Sequence, residues 1–423
     1  MKSSTLGMIA GGAIVLAAAA ALVVNQTRRA TSIQEYGGLV YPDLAAKAPT
    51  VTEIAVNSAG AVTTVRKQGD AWLLVEKGGY PVKIEKVREV VVGLGQIKQL
   101  EPKTSKAERY AEIGVEDPPA TPAVPATPDP TAPPAEKSQA ALVTLKDSSG
   151  AALASAIVGK QRFGTPPTVF IRKAGDSQSW LAEGQLDVPR EVNGWLDTQV
   201  INLARERVAR VTITPAEEGA TPLAVSRPTK DDTSFAVESL PDGVRLKAPT
   251  AVDPVTTALS YLNFDDVALA SSVMPADGPA PVTYTLATFD GMVVTSRVVQ
   301  KDGRYWAAFE ASIDESKLPQ VPQVTPPEPP APGAAVDPAV QSAYDVAKKV
   351  ADEAAKKVED VRKEVKTFND RHGGWAYAIP EYKGKVLVTR LDELLTEEEA
   401  PASTEPAGPA VPDSLDPAPV EPK

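Results

Sequence analysis

Residues 51–76 read VTEIAVNSAGAVTTVRKQGDAWLLVE, and this stretch decides the fold class. Apolar and polar residues alternate over 51–56, 62–67 and 71–76, with turn-forming residues at 58–60 and 68–70. A period of two sets every second side chain on one face, so the three runs predict half-buried strands joined by tight turns. A helix is expected over 82–100, where Val87, Val90, Val91, Leu94 and Ile97 recur every three or four positions and give one face to pack on a sheet. Further strands are expected over 142–147, 152–158, 168–173 and 180–183, with a short helix around 189–197.

The pattern then starts again. Strands are expected over 208–214, 223–226 and 235–238, and a helix over 253–262 with Asp253 as N-cap and Pro254 at its first position. Strands over 282–288, 292–300 and 304–310 follow, and after an interruption a strand over 375–379 and a closing helix over 386–395. The tryptophans Trp180 and Trp375 open strands at corresponding places in the two halves. The expected architecture is α+β: a tandem repeat of mostly antiparallel sheet units with packed helices, over residues 51–204 and 205–395. Residues 30–50 read as a linker.

Proline divides the chain. Residues 118–134 hold eight prolines, 319–332 hold seven and 401–423 hold seven more, together 22 of the 40 in the 423 residues. Such segments bury too little apolar surface to offset the entropy of ordering, and are expected to be extended linkers and an acidic tail. The second of them lies within a longer insert, residues 311–373.

Residues 6–24, from Leu6 to Val24, are all apolar or small. Nineteen residues at 1.5 Å each span about 28 Å, close to the thickness of a bilayer core. A cleaved signal peptide is one reading, with Ala19-Ala20-Ala21 as a peptidase site. Leu22, Val23 and Val24 carry the apolar run past that site, which suits an uncleaved transmembrane helix within residues 1–29. Either way the body is expected to be exported.

The chemistry is sparse. With no cysteine and one histidine, His372, thiolate sites, multi-histidine metal sites and a Ser-His-Asp triad drop out. A formal charge of −11 argues against nucleic acid, whose phosphates call for Lys and Arg. No phosphate loop or nucleophile elbow is present. Gly93-Leu-Gly95 lacks the third glycine of a dinucleotide loop and reads as a packing site within a helix. The acidic pairs Asp231-Asp232, Asp265-Asp266 and Glu397–Glu399 lack the spacing of a glycosidase or a calcium loop and read as solvated charges. His372 reads as a helix-end residue meeting the dipole before a glycine stop. No cofactor and no enzymatic activity are expected.

The sharpest signal is a long helix that Asp337 caps, Pro338 opens and Gly373-Gly374 ends. Val340, Tyr344, Ala347, Ala351, Ala354, Val358, Val361, Val365 and Phe368 are spaced alternately by four and three, the heptad period of a coiled-coil seam. This seam is expected to bind a partner helix or a second copy; the alternative is a helix lying on the chain's own sheets.

The order of several short motifs carries a resemblance. Trp72 after a Gly-Asp turn, the helix led by Pro81-Val82, Tyr110-Ala-Glu-Ile-Gly-Val-Glu-Asp-Pro118, Ile157-Val-Gly-Lys160, Val169-Phe-Ile-Arg172 and Trp180-Leu181 follow one another in a familiar sequence. In that order they resemble the domain-of-unknown-function family of bacterial auxiliary components of gliding-motility-type ABC transporters. The resemblance covers residues 51–200 well and 208–395 more weakly, and the long helical insert departs from it. It implies a membrane anchor, an extracytoplasmic α+β body, ABC permease and ATPase subunits as partners, and no catalytic residues. The expected function is a non-enzymatic accessory or docking subunit at the bacterial inner membrane. A structural envelope scaffold using the helical arm and a carboxylate-dependent envelope hydrolase are the alternatives.

Overall fold

The computed structural model describes residues 37–121, 138–327 and 337–397. The expected anchor at 6–24, residues 398–423 of the tail expected over 396–423 and parts of both inner proline-rich segments lie outside the described residues, while 396 and 397 belong to a short strand, Leu395–Glu397, rather than to a tail. Among the described residues no helix is long and apolar enough to cross a membrane. The chain is a mixed helix and sheet protein with mostly antiparallel sheets, dividing into two compact units between Asp197 and Thr198.

The first unit holds strands β1 (Val51–Ser58), β2 (Ala61–Gln68), β3 (Ala71–Leu74) and β4 (Tyr80–Pro81), then helix α1 (Ile84–Gln96) and β5 (Lys98–Pro102). Four more strands follow: β6 (Ala141–Asp147), β7 (Ala152–Arg162), β8 (Thr168–Lys173) and β9 (Ser179–Glu183). They form one sheet in the order β4-β3-β2-β1-β6-β7-β8-β9-β5. Ile54 stands between Val65 and Leu145 across the ladder, and all three are fully buried. Val87, Val90, Val91 and Leu94 of α1 are buried, as their spacing requires. Gly93 belongs to that packing: a Cβ there would stand 2.9 Å from the Gln185 carbonyl oxygen.

The second unit holds β10 (Gln199–Ile201), β11 (Val208–Thr214), β12 (Leu223–Ser226), β13 (Ala236–Val237), β14 (Val244–Leu246), β15 (Leu262–Asn263) and β16 (Asp266–Leu269). After these come β17 (Val282–Thr288), β18 (Met292–Lys301), β19 (Arg304–Ile313), the long helix α2 (Pro338–His372), β20 (Trp375–Ile379), helix α3 (Glu381–Leu387) and β21 (Leu395–Glu397). Its main sheet runs β13-β12-β11-β17-β18-β19-β20-β16, with two small pairs, β10-β15 and β14-β21, beside it. Put β11 where β1 stands and β17 where β6 stands, and the two main sheets follow the same path. The strand that precedes β6 or β17 in the chain, β5 or β16, closes the far edge in each. The proline-rich inserts, however, occupy different connections. The first lies between β5 and β6; the second lies between β19 and β20, where the first unit has only the turn 174–178.

Several expected elements differ. The helix expected over 82–100 stops at Gln96, because Ile97 is already extended and Lys98–Pro102 pairs with β9 as an edge strand. The helix expected over 253–262 lasts one turn, Asp253–Thr256, and Asp253 is its first residue rather than its cap. The Thr256 and Thr257 hydroxyls both donate to the Asp253 carbonyl, an alternative to continued helix, and the Asp253 carboxylate pairs with Arg205 at 2.8 Å. Around 189–197 there is only a 3-10 turn, Val192–Trp195. The closing helix expected over 386–395 is instead α3 plus a turn, Leu391–Leu394, and Leu395 is in β21. Helix α3 starts earlier because it is pinned by tertiary contacts. The Lys383 ammonium donates to the carbonyls of Thr257, Ala258 and Ser260, and a side chain at Gly384 would overlap the Tyr305 ring.

Candidate functional site: the helical arm

The insert between β19 and β20 begins with Asp314, whose carboxylate accepts from the Ser316 backbone and hydroxyl and sets a turn over Glu315–Lys317. The chain then runs without helix or strand through residues 318–327. Helix α2 starts as its sequence dictates: the Asp337 carboxylate accepts from the Ala339 backbone N–H at 2.8 Å and Pro338 takes the first position. It ends at His372, where the Gly373 N–H still donates to the Asn369 carbonyl. Thirty-five residues make a helix about 50 Å long. Lys–Asp pairs four residues apart, Lys348–Asp352, Lys356–Asp360 and Lys366–Asp370, line its solvent side, where water screens them to a small effect.

The heptad seam divides into two parts. Val361, Val365 and Phe368 are buried within the second unit, where α2 packs along β19. These bulky residues are covered by the chain's own sheet. Ala351 is buried too, and Ala354 and Val358 are half-buried. Toward the N-terminus Tyr344 is half-buried, Ala347 is exposed and Val340 is 49% exposed. Beside them Val346 and Val350 are 63% and 52% exposed. A cleft of about 510 Å³ lies between this half of the helix and the proline-rich segment, lined by Pro322, Val324 and Pro327 on one side and Val340, Tyr344 and Val350 on the other.

Among the described residues, the polar contacts that fasten the helix to the second unit lie in its C-terminal half. Arg362 reaches Glu315 at 3.1 Å. The two carboxylate oxygens of Glu364 each accept from Arg207 at 2.9 Å, the bidentate geometry that suits a guanidinium. Arg207 also donates to Asp290 at 3.0 Å, and its pKa is raised, first by the Glu364 hydrogen bonds and then, against the cost of burial, by Asp290. Burial alone would raise the Asp290 carboxyl, but the Thr288 hydroxyl and Arg207 outweigh it and hold it below the usual carboxylate value. Asn369 bonds to both backbone groups of Ala311, and Arg371 donates to the Gln199 carbonyl at 3.0 Å.

His372 is more deeply placed than a helix-end residue meeting only the dipole. It is 2% exposed, with Nδ1 at 2.7 Å from the Tyr377 hydroxyl and its ring 4.5 Å from that of Phe368. Two of the acidic pairs have partners of their own: the Asp232 carboxylate, in a loop, accepts from the Thr229 backbone and hydroxyl, and Asp266, the first residue of β16, meets Arg304 of β19 at 3.4 Å. Among the described residues no group of three or more His, Asp or Glu is arranged to hold a metal ion. Glu398 and Glu399 lie outside the described residues.

Arg207, Asp290, Glu364 and Asn369 escaped the sequence reading because their partners are 58 to 157 residues away, except the nearer Asp290 contacts within its own turn. One signal was present. Arg362, Glu364, Asn369 and Arg371 all flank the seam positions, where a coiled coil keeps its polar partner contacts.

Among curated proteins none matches this sequence. The family match runs from Trp72, in β3, to Thr288, at the end of β17, and the arm lies beyond it. Spanning residues 72–288, slightly more than half of the 423, that match shows that the chain belongs to the family described as a domain of unknown function, DUF4340.

Proposed function

We propose that this protein is a non-enzymatic docking subunit of an ABC-type transport system in the bacterial cell envelope, anchored in the inner membrane by residues 6–24 with its body on the extracytoplasmic side. The observation that carries the docking role is the arm: a helix about 50 Å long, fastened at its C-terminal end and presenting an apolar cleft at the other. Two sheets of one strand order offer repeated surfaces to a partner. The apolar run of residues 6–24 supports the anchor, since its length matches a bilayer core. The motif order described above supports the transporter context, with the permease and ATPase supplying the energy.

The test is co-purification. The tagged full-length chain, extracted in mild detergent, should bring down a permease and an ATPase in fixed proportion. A chain isolated without them under conditions that keep such complexes together would sink the transporter reading and favour an envelope scaffold. Mass spectrometry of the same preparation should find Leu6 to Val24 retained; a mature N-terminus near Leu22 would remove the anchor.

A further inference from the structure

We propose that the free half of the arm docks an acidic amphipathic α-helix of a partner protein, laid along Val340, Tyr344 and Ala347 with its apolar side chains entering the cleft faced by Pro322 and Pro327. The inference rests on the docking-subunit reading above and names the partner's chemistry.

The argument starts from the two halves of one seam. In the C-terminal half the apolar positions are covered by β19, and the flanking residues Arg362, Glu364, Asn369 and Arg371 each hold a polar partner in the second unit. In the N-terminal half the same heptad continues, but Val340 and Val350 remain about half exposed. Val340, Tyr344 and Ala347, on successive turns beside the apolar cleft, have the i, i+4, i+7 spacing of helix-in-groove anchors. A seam of this period accepts a helix, because only a helix returns a side chain to the same line every three and four residues.

Charge then selects the occupant. The positions flanking the seam in the free half are Gln341, Ala343, Lys348, Val350, Ala355 and Lys357: two lysines and no acid. Two copies of this surface, parallel or antiparallel, would set lysine flanks beside lysine or neutral flanks, which disfavours self-pairing. A helix with Glu or Asp at its flanks meets both lysines. Lys348 already shares Asp352 at 2.9 Å, but that pair is more than half exposed on both sides and yields readily to a better placed carboxylate.

The test uses the full-length chain in detergent and two synthetic three-heptad helical peptides that share an apolar seam. One carries Glu at every flanking position and its twin carries Lys. The acidic peptide should bind at least about tenfold more tightly than the basic one at low salt, with the preference shrinking as salt screens it. Lys348→Glu with Lys357→Glu should reverse the preference, and Val340→Asp with Val350→Asp should abolish binding. All four positions are exposed, so the melting transition should be unchanged, which separates lost docking from lost folding. Equal binding of the two peptides, or no binding of either, would overturn the proposal. Concentration-dependent dimerisation of the chain alone, abolished by the valine substitutions, would overturn it in favour of a second copy. Co-purification with a permease that survives those substitutions would overturn this inference while leaving the transporter reading intact.

Discussion

The Asn369 side chain does for Ala311 what a neighbouring strand would do: its oxygen accepts from the Ala311 N–H at 2.8 Å and its amide donates to the Ala311 carbonyl at 2.7 Å. Strand β20 covers β19 only from Tyr305 to Ala308. Beyond that the strand edge would present unpaired backbone groups. The last turns of α2 lie over this edge, and one amide side chain closes it. The long insert between β19 and β20 is thus fastened where it could have left the sheet open.

Asn369→Ala should therefore destabilise the second unit by about 1–3 kcal/mol, the cost of leaving a covered backbone donor and acceptor without partners. Asn369→Asp should be nearly as harmful at neutral pH, since a carboxylate accepts from the N–H but faces the carbonyl with no proton to give. Denaturant unfolding measures both. Stabilities equal to the parent would show that water replaces the amide.

Phe368→Ala removes a ring that is 8% exposed and packed against His372, and should cost about 3–5 kcal/mol. Val361→Asp with Val365→Asp should lower the melting temperature of the second unit outright. Val340→Asp, at the exposed end of the same seam, should leave it unchanged. A partner-only role for the whole seam predicts the opposite for the inner pair: intact melting and lost association.

Asp290 links stability to acid. Its folded pKa lies below the unfolded one, so as pH falls the unfolded chain takes up the proton first. The stabilisation is complete above the unfolded value, about 4, and is lost as pH falls through the lower folded value. Second-unit stability measured between pH 7 and pH 2 should show this limb, and Asp290→Asn should flatten it. An unchanged slope in the variant would assign the acid sensitivity to other carboxylates of the second unit, such as Asp314, which the Ser316 hydroxyl holds below the usual carboxylate value.

Gly93→Ala sets two effects against each other. Helix propensity alone favours alanine by about 1 kcal/mol. Packing opposes it, because the new methyl would stand 2.9 Å from the Gln185 oxygen and 3.1 Å from a Leu186 methyl, an overpacking typically costing about 1–3 kcal/mol. Since the clashing oxygen is backbone, the net change should be destabilising for the first unit. A stabilised variant would mean that the turn after β9 shifts freely.

Local chemistry was legible from the start. Strand periods over 51–56, 62–67 and 168–173, the turns between them and both ends of α2 follow from side chains acting within a few residues. The buried face of α1 did too, from the spacing of Val87, Val90, Val91 and Leu94. The heptad seam was legible as a stripe, but what covers each part of it was not. Residues 98–100 read as the end of the helix because Ile97 continued the spacing of Val87, Val90, Val91 and Leu94, and only pairing with β9 made them part of a strand.

The sequence by itself determined which segments alternate, which coil and where the long helix begins and stops, since caps, prolines and periodicities act over a turn or two. The tertiary structure alone decided the strand order, the closing of the β19 edge by Asn369, the Arg207–Glu364 clamp and the division of one uniform seam into a buried half and an exposed half. Those depend on groups brought together from distant parts of the chain, and a seam residue's environment is set by the surface it meets rather than by its neighbours in sequence.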